Sequence, residues 1–227
     1  ARLRDHSSST MLTTCYRMNA DLCQWSSEQF YHGDLKADPA NASRRLSLPN
    51  QTLEAPKALL PEPPSVRIEL DHDENRTVSS EEADLVSRLV NAWLAAGVSP
   101  KEIGVVVPYR RQANRIRQRL RVSMQAPAKI SRAITVDTVE RFQGSEREVM
   151  ILSFTASDAR FIANQAAFLF QPQRLNVAAT RSRSKRVLLI SKTMTQVAEQ
   201  FAGNGNQDAA VFLSLLQDTS IVDTPTF

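Results

Sequence analysis

The sequence predicts an α/β fold: a mostly parallel sheet sandwiched by helices. Short apolar runs rich in Val and Ile recur along the chain, the pattern of strands buried on both faces. Stretches with apolar residues at helical spacing separate them, and no hairpin signal lies between the strand candidates.

Residues 1–9 read as a polar lead-in, and Leu12 to Phe30 carries apolar residues at mixed helical spacing up to a turn at His32-Gly33-Asp34. The 38–64 segment, rich in Pro, Asn, Ser and Ala, is expected to be an irregular surface excursion. Val66 to Leu70 alternates apolar and polar residues and predicts a strand. Ser79-Ser80-Glu81-Glu82 has the spacing of a capping box. Val86, Leu89, Val90 and Trp93 continue that helix, and Gly97 sits where it should stop. Ile103 to Val107 is a buried-strand pattern closed by Pro108. A helix follows from about Tyr109 to Arg121, with Ala113, Ile116 and Leu120 inward. Further strands are expected at Ile134–Val136, Val149–Phe154 and Val187–Ile190, and helices at Ile162–Phe170, Leu175–Thr180 and Asp208–Leu216.

With 227 residues and 42% apolar content, the whole chain, 1–227, is expected to form one domain around its own core. Cys15 and Cys23 lie eight apart, without a second pair or a histidine at ligand spacing. That argues against a zinc or disulfide framework and suits a reducing, cytoplasmic setting, nucleoid or nucleus included. No signal-peptide pattern and no apolar run of ~18–20 residues is present. His6, His32 and His72 stand in polar contexts that suggest no catalytic base. Asp137, Glu146 and Glu148 lack the lysine spacing of a metal-dependent nuclease core.

Net charge is +4, unevenly spread. Eight basic residues and no acid lie between Tyr109 and Arg132, and six more between Gln171 and Lys192. Glu62 to Asp84 instead holds eight acids against Arg67 and Arg76. Such segregation predicts a positive face for an anionic partner.

Two segments carry more than packing requires: Val136–Ser153, VDTVERFQGSEREVMILS, and Arg174–Arg183, RLNVAATRSR. Together with Cys15-Tyr16-Arg17-Met18-Asn19 they resemble the second, C-terminal RecA-like domain of superfamily 1B (Upf-like) DNA/RNA helicases. The resemblance covers nearly the whole chain. In that family ATP is clamped between two RecA-like domains, and the first carries the phosphate loop and the magnesium-binding acids. No GxxxxGK[ST] loop occurs here. The resemblance therefore implies part of a longer protein, needing ATP and Mg2+ but not itself holding the Mg2+ ligands, and inactive alone.

By the same resemblance Arg181 matches the arginine finger and Arg17 a second γ-phosphate arginine, the catalytic pair. Tyr16, Gln143, Gly144 and Glu146 match nucleotide-binding positions. The family has glutamine where Cys15 stands, which weakens the match at the nucleotide edge. Gly144 would let backbone approach phosphate, and Glu146 would accept a bond from the ribose, a role Glu148 could share. Asn176 would hold its helix against the Gln143 loop. Thr138, Tyr109, Arg110, Arg111 and Arg141 match or adjoin nucleic-acid-facing positions. Cations beside an aromatic suit single-stranded DNA or RNA, since the first track phosphates and the second stacks on bases. The implied partners are thus a single strand and the N-terminal RecA-like domain, with no membrane. The alternative is a stand-alone module that grips nucleic acid or protein without hydrolysis, and an ATP-driven machine acting on protein is a third possibility.

Overall fold

The computed structural model describes residues 11–50, 55–123, 128–142 and 144–225. In chain order it contains β1 (Thr14–Cys15), α1 (Ala20–Phe30), β2 (Lys36–Ala37), α2 (Pro39–Ala42), β3 (Ser65–Leu70), α3 (Ser80–Ala95), β4 (Ile103–Val107), α4 (Arg110–Ser123) and α5 (Ala128–Ala133). The remainder is β5 (Thr135–Thr138), β6 (Arg147–Ser153), α6 (Ala159–Asn164), α7 (Ala166–Leu169), α8 (Pro172–Ala179), β7 (Ser182–Ser191), α9 (Lys192–Gly203), α10 (Gln207–Gln217) and β8 (Ser220–Ile221).

The main sheet has the order β5-β4-β6-β7-β3-β8, and every neighbouring pair is parallel. β1 and β2 make a separate parallel ladder, Thr14 opposite Lys36 and Cys15 opposite Ala37. Alternation along the strands divides the core in two. Val105, Val107, Val149, Ile151, Val187 and Leu189 face α3 and α4, where Leu85, Leu89, Trp93, Ile116 and Leu120 are buried. Val106, Met150, Leu152, Leu188 and Ile190 face the other layer, where Trp25, Leu175, Met194, Val197 and Phe212 pack. A helix on each face is what buries a parallel sheet on both sides.

Several expectations shift. The 187–190 strand extends back to Ser182, so the serine–arginine cluster belongs to a strand and not to a helix end. Lys185 and Arg186 are consequently buried on that strand, which central position in the sheet enforces. Ile162–Phe170 is two short helices, α6 and α7, and α9 was not anticipated. Among the described residues of the 38–64 segment, expected at the surface, Leu46, Ala58 and Leu59 enter the core, and the Leu59 carbonyl accepts from the Trp93 indole at 3.2 Å.

The capping box is half realised. Ser79 accepts from the Glu82 amide at 3.0 Å. The Glu82 carboxylate turns inward instead of back to Ser79. Its two oxygens accept from the Thr155 amide at 2.9 and 3.0 Å, it also accepts from Ser153 Oγ, and it lies 3.3 Å from His72 Nε2. Thr155 has φ 72°, a left-handed conformation rare for a β-branched residue, and the buried carboxylate holds its amide there. Ser79's own amide is taken by Gln112 Oε1 at 2.9 Å, tying α3 to α4.

The charge blocks also meet in space. α4 packs on α3, where Arg119 pairs with Asp84 at 2.6 Å and Arg115 donates to Ser80 at 2.9 Å. Arg117 pairs with Asp137 at 3.1 Å. Only part of the basic run therefore remains for an outside partner: Arg110, Arg111, Arg121, Lys129 and Arg132 are exposed and have no ion-pair partner among the described residues.

Candidate functional site: two opposite edges of one sheet

In open parallel sheets ligands gather beyond the carboxyl ends of the strands, and the loops beginning at Thr138 and at Pro108-Tyr109, which the sequence places at one shared edge, both start there. The remaining motif residues lie at the opposite edge. Glu146 immediately precedes β6 and Arg181 immediately precedes β7, so both stand at the amino edge. Thr138 ends β5, and Pro108-Tyr109 follows β4, at the carboxyl edge. The reason is in the motif itself. Its residues run from the end of one parallel strand to the start of the next, and therefore cross the sheet.

At the amino edge, Arg17, Glu146, Thr180 and Arg181 line one open cleft of about 570 Å3, together with Cys15, Tyr16 and Asn176. Arg17 Nε donates to Glu146 Oε2 at 2.6 Å, and its Nη1 donates to the Thr180 carbonyl at 3.0 Å. Arg181 Nε donates to the Val177 carbonyl at 2.9 Å. Partial burial lowers the proton affinity of Arg181, the Arg17 charge lowers it further, and Glu146 works against both. Two guanidiniums thus share the cleft near one carboxylate. Partial burial pulls Glu146 upward, but the hydrogen bond and charge of Arg17 outweigh it, and its pKa falls below the usual carboxylate value.

Local structure fixes this arrangement. Asn19 caps α1, its Oδ1 accepting from the Leu22 amide at 2.9 Å. Its backbone amide donates to the Arg183 carbonyl at 3.2 Å, and its Nδ2 to the Arg44 carbonyl at 3.0 Å. The turn that carries Arg17 is thereby pinned to the head of β7. The Arg147 amide donates to the Arg181 carbonyl at 3.0 Å and joins the heads of β6 and β7. Asn19 belongs to the early motif, yet its anchoring role had no signal beyond an asparagine at a helix start.

Arg183 was also missed as a site neighbour. It reaches Glu148 at 2.9 Å and Glu146 at 3.6 Å, and pairs with Glu102 as well. Glu148 is occupied by Arg183 and by Ser184 Oγ, so it does not stand in for Glu146 at the cleft. Asn176 accepts from Ser26 Oγ at 2.7 Å, so its side chain ties α8 to α1. Gln143 lies outside the described residues. Gly144 has φ +81°, and a Cβ there would meet nothing within 4 Å. Glycine is needed there for backbone conformation, and not because neighbouring protein atoms crowd it. Tyr16 is 73% exposed at the rim.

The carboxyl edge is less open than expected. Thr138 is 7% exposed. Tyr109 is half-buried, stacked on Phe168 at 5.6 Å between ring centroids, and its hydroxyl is buried without a partner among the described residues. Burial, partly offset by Arg174, pushes the Tyr109 phenol up to about 12. The Arg174 guanidinium lies 4.1 Å over the Phe168 ring and also pairs with Glu140. Arg110, Arg111 and Arg141 are the exposed cations nearby, and Arg141 keeps only a 3.8 Å approach to Asp137. Among the described residues no group of His, Cys, Asp or Glu is placed to hold a metal ion, and no helix is long and apolar enough to cross a membrane.

Comparison with known proteins matches residues 1–193 to the AAA domain family. The chain is 33% identical over 191 residues to the DNA-binding protein SMUBP-2 of Mesocricetus auratus, covering 82% of this chain and 18% of that protein. It is 31% identical to the Regulator of nonsense transcripts 1 homolog of Drosophila melanogaster, covering 74% of this chain and 14% of that protein. It is 30% identical over 210 residues to the DNA replication ATP-dependent helicase/nuclease DNA2 of Mus musculus, covering 82% and 19%. The chain therefore spans less than a fifth of each of these relatives.

Proposed function

The chain belongs to the AAA domain family of superfamily 1 helicases, as their second RecA-like domain, and from that premise we propose that it completes an ATP site carried by another RecA-like domain. The shared cleft of Arg17 and Arg181 carries this reading. Phosphoryl transfer spreads negative charge over the γ-phosphate oxygens, and fixed guanidiniums stabilise that charge without reorganising. The residues fit the phosphate end of a nucleotide, with Tyr16 at the rim and Glu146 beside the arginines. Bound ATP would supply the phosphoryl chemistry, and its magnesium would be held by the other domain.

In this reading the opposite edge meets the substrate. Arg110, Arg111 and Arg141 would contact phosphates of single-stranded DNA or RNA. Thr138 and Tyr109, being largely enclosed, would shape that surface more than they project from it. ATP hydrolysis would drive movement along the strand.

The test is Arg181→Ala in a protein carrying both this chain and a phosphate loop. The expected result is a kcat lower by on the order of 10³ or more, with single-strand affinity unchanged. An unaltered kcat would remove Arg181 from the reaction. The 227-residue chain alone is expected to show no Arg181-dependent ATP turnover.

A further inference from the structure

We propose that Cys15 and Cys23 form a peroxide-responsive dithiol whose disulfide locks the Tyr16–Arg17 turn and so regulates the nucleotide cleft. The regulatory half rests on the function proposed above; the thiol chemistry stands apart from it.

The two cysteines are placed for different tasks. Cys15 ends β1, lines the cleft beside Tyr16 and Arg17, and is partly exposed. Its Sγ accepts from the Met18 amide at 3.5 Å. Cys23 lies in the first turns of α1, 2% exposed, in a small cluster with Met18, Leu22 and Leu35, and Cys15 packs against that cluster. The Cys23 thiol donates to the Leu35 carbonyl at 3.9 Å, inside the cluster against which Cys15 packs, and the two thiols are near enough to perturb each other's ionisation. One sulfur is therefore open to a solvent-borne oxidant, and the other waits beneath it, shielded.

The electrostatics fit that division. The bond from Cys23 outweighs partial burial, with help from the backbone around Met18 and Arg17 and from the Arg17 charge. Cys15 falls to about 5, and Cys23 is driven upward. Of the two thiols, Cys15 is therefore the one that ionises more readily. An accessible low-pKa thiolate next to a resolving thiol is the arrangement that oxidises selectively and reversibly.

The chemistry balances with hydrogen peroxide as oxidant. The Cys15 thiolate attacks one peroxide oxygen, the O–O bond breaks, and the departing hydroxide takes a proton to leave as water. Cys15 is then a sulfenic acid. The Cys23 sulfur gives up its proton and attacks the Cys15 sulfur; the S–S bond forms, the S–O bond breaks, and a second water leaves. Two thiols lose two electrons, and peroxide gains them. The resulting bridge spans Tyr16 to Leu22, a segment that includes Arg17 and the Asn19 cap. Freedom of Arg17 to leave Glu146 would be curtailed.

The experiment exposes the reduced 227-residue chain to hydrogen peroxide, blocks free thiols with N-ethylmaleimide, and maps peptides by mass spectrometry without reductant. The expected product is an intramolecular Cys15–Cys23 link that dithiothreitol removes. Cys23→Ser should stop at a Cys15 sulfenic acid trapped by dimedone, and Cys15→Ser should leave Cys23 unmodified. Recovery of both wild-type cysteines as maleimide adducts overturns the proposal. Accumulation of Cys15 sulfinic acid beside a free Cys23 does the same. In a protein that also carries the phosphate loop, ATPase should fall with the disulfide fraction, by on the order of 10²-fold at completion. Quantitative disulfide with constant ATPase overturns the regulatory half. An ATPase indifferent to Arg181→Ala overturns the nucleotide reading instead, and leaves the peptide map unaffected.

Discussion

Arg17 and Glu146 are joined by a 2.6 Å hydrogen-bonded ion pair although 129 positions separate them in the chain. The pair parks a cation at the cleft. Both side chains are about one-third exposed, 31% and 38%, so solvent screens their attraction. A double-mutant cycle of Arg17→Ala and Glu146→Ala, read by urea unfolding, should give a coupling of about 1 kcal/mol or less. A coupling several times larger would mean that the pair holds the fold and not the arginine.

Single-strand affinity should separate the basic residues of α4. Removing one arginine–phosphate pairing reduces the steepness of log K against log salt by about 0.7 for single strands. Arg110→Ala and Arg111→Ala are expected to show that change. Arg119→Ala should not, because Arg119 already pairs with Asp84 at 2.6 Å. Equal slopes for all three variants would contradict the assignment of the carboxyl edge.

The buried pair of His72 and Glu82 should make stability depend on pH. Burial depresses the histidine, but the hydrogen bond and charge of Glu82 exceed it, and the net shift is upward from 6.5. A raised folded-state pKa contributes stability that is fully present below the unfolded value of 6.5 and lost as pH rises through the folded value. The His72 contribution, read as the difference in urea midpoint between wild type and His72→Gln at each pH, should fall across that window. A difference that stays constant with pH would contradict the pairing of His72 with Glu82 as its source.

Lys185 predicts the opposite slope. Burial, partly offset by Glu62, lowers its pKa from 10.5 to about 7. The unfolded chain then binds more protons between those values, so stability rises as pH climbs through the window. The rise from Lys185 should reach on the order of 4 kcal/mol by about pH 10. Lys185→Met should flatten it, measured as the difference from wild type at each pH.

Much of the architecture was legible because periodicity reports burial. Val105 and Ile151 alternate with Val106 and Met150 between two cores, and Gly97, φ +92°, ends α3 where its sequence position said. What escaped was set by tertiary position. Ser182 to Arg186 looks polar and helical-terminal in sequence, yet a central strand buries it and pairs Arg186 with Asp218 at 2.6 Å. Glu82 looked like a cap and became a buried acceptor, because Thr155 arrives from 73 residues away. The site residues came from motif resemblance, and their division between two edges could not be read from spacing. Spacing along the chain does not say on which side of a sheet a loop finishes.

That division sets a mechanical distance. Thr138 is level with Val107, Val106 is opposite Leu152, and Glu146 precedes the first residue of β6. The two edges are thus separated by most of a strand's length, roughly 20 Å at the usual rise per residue. No single ligand atom can touch both. Between the two edges along the chain, Phe142 is fully buried. A ligand at one edge therefore leaves the atoms of the other edge out of its direct reach.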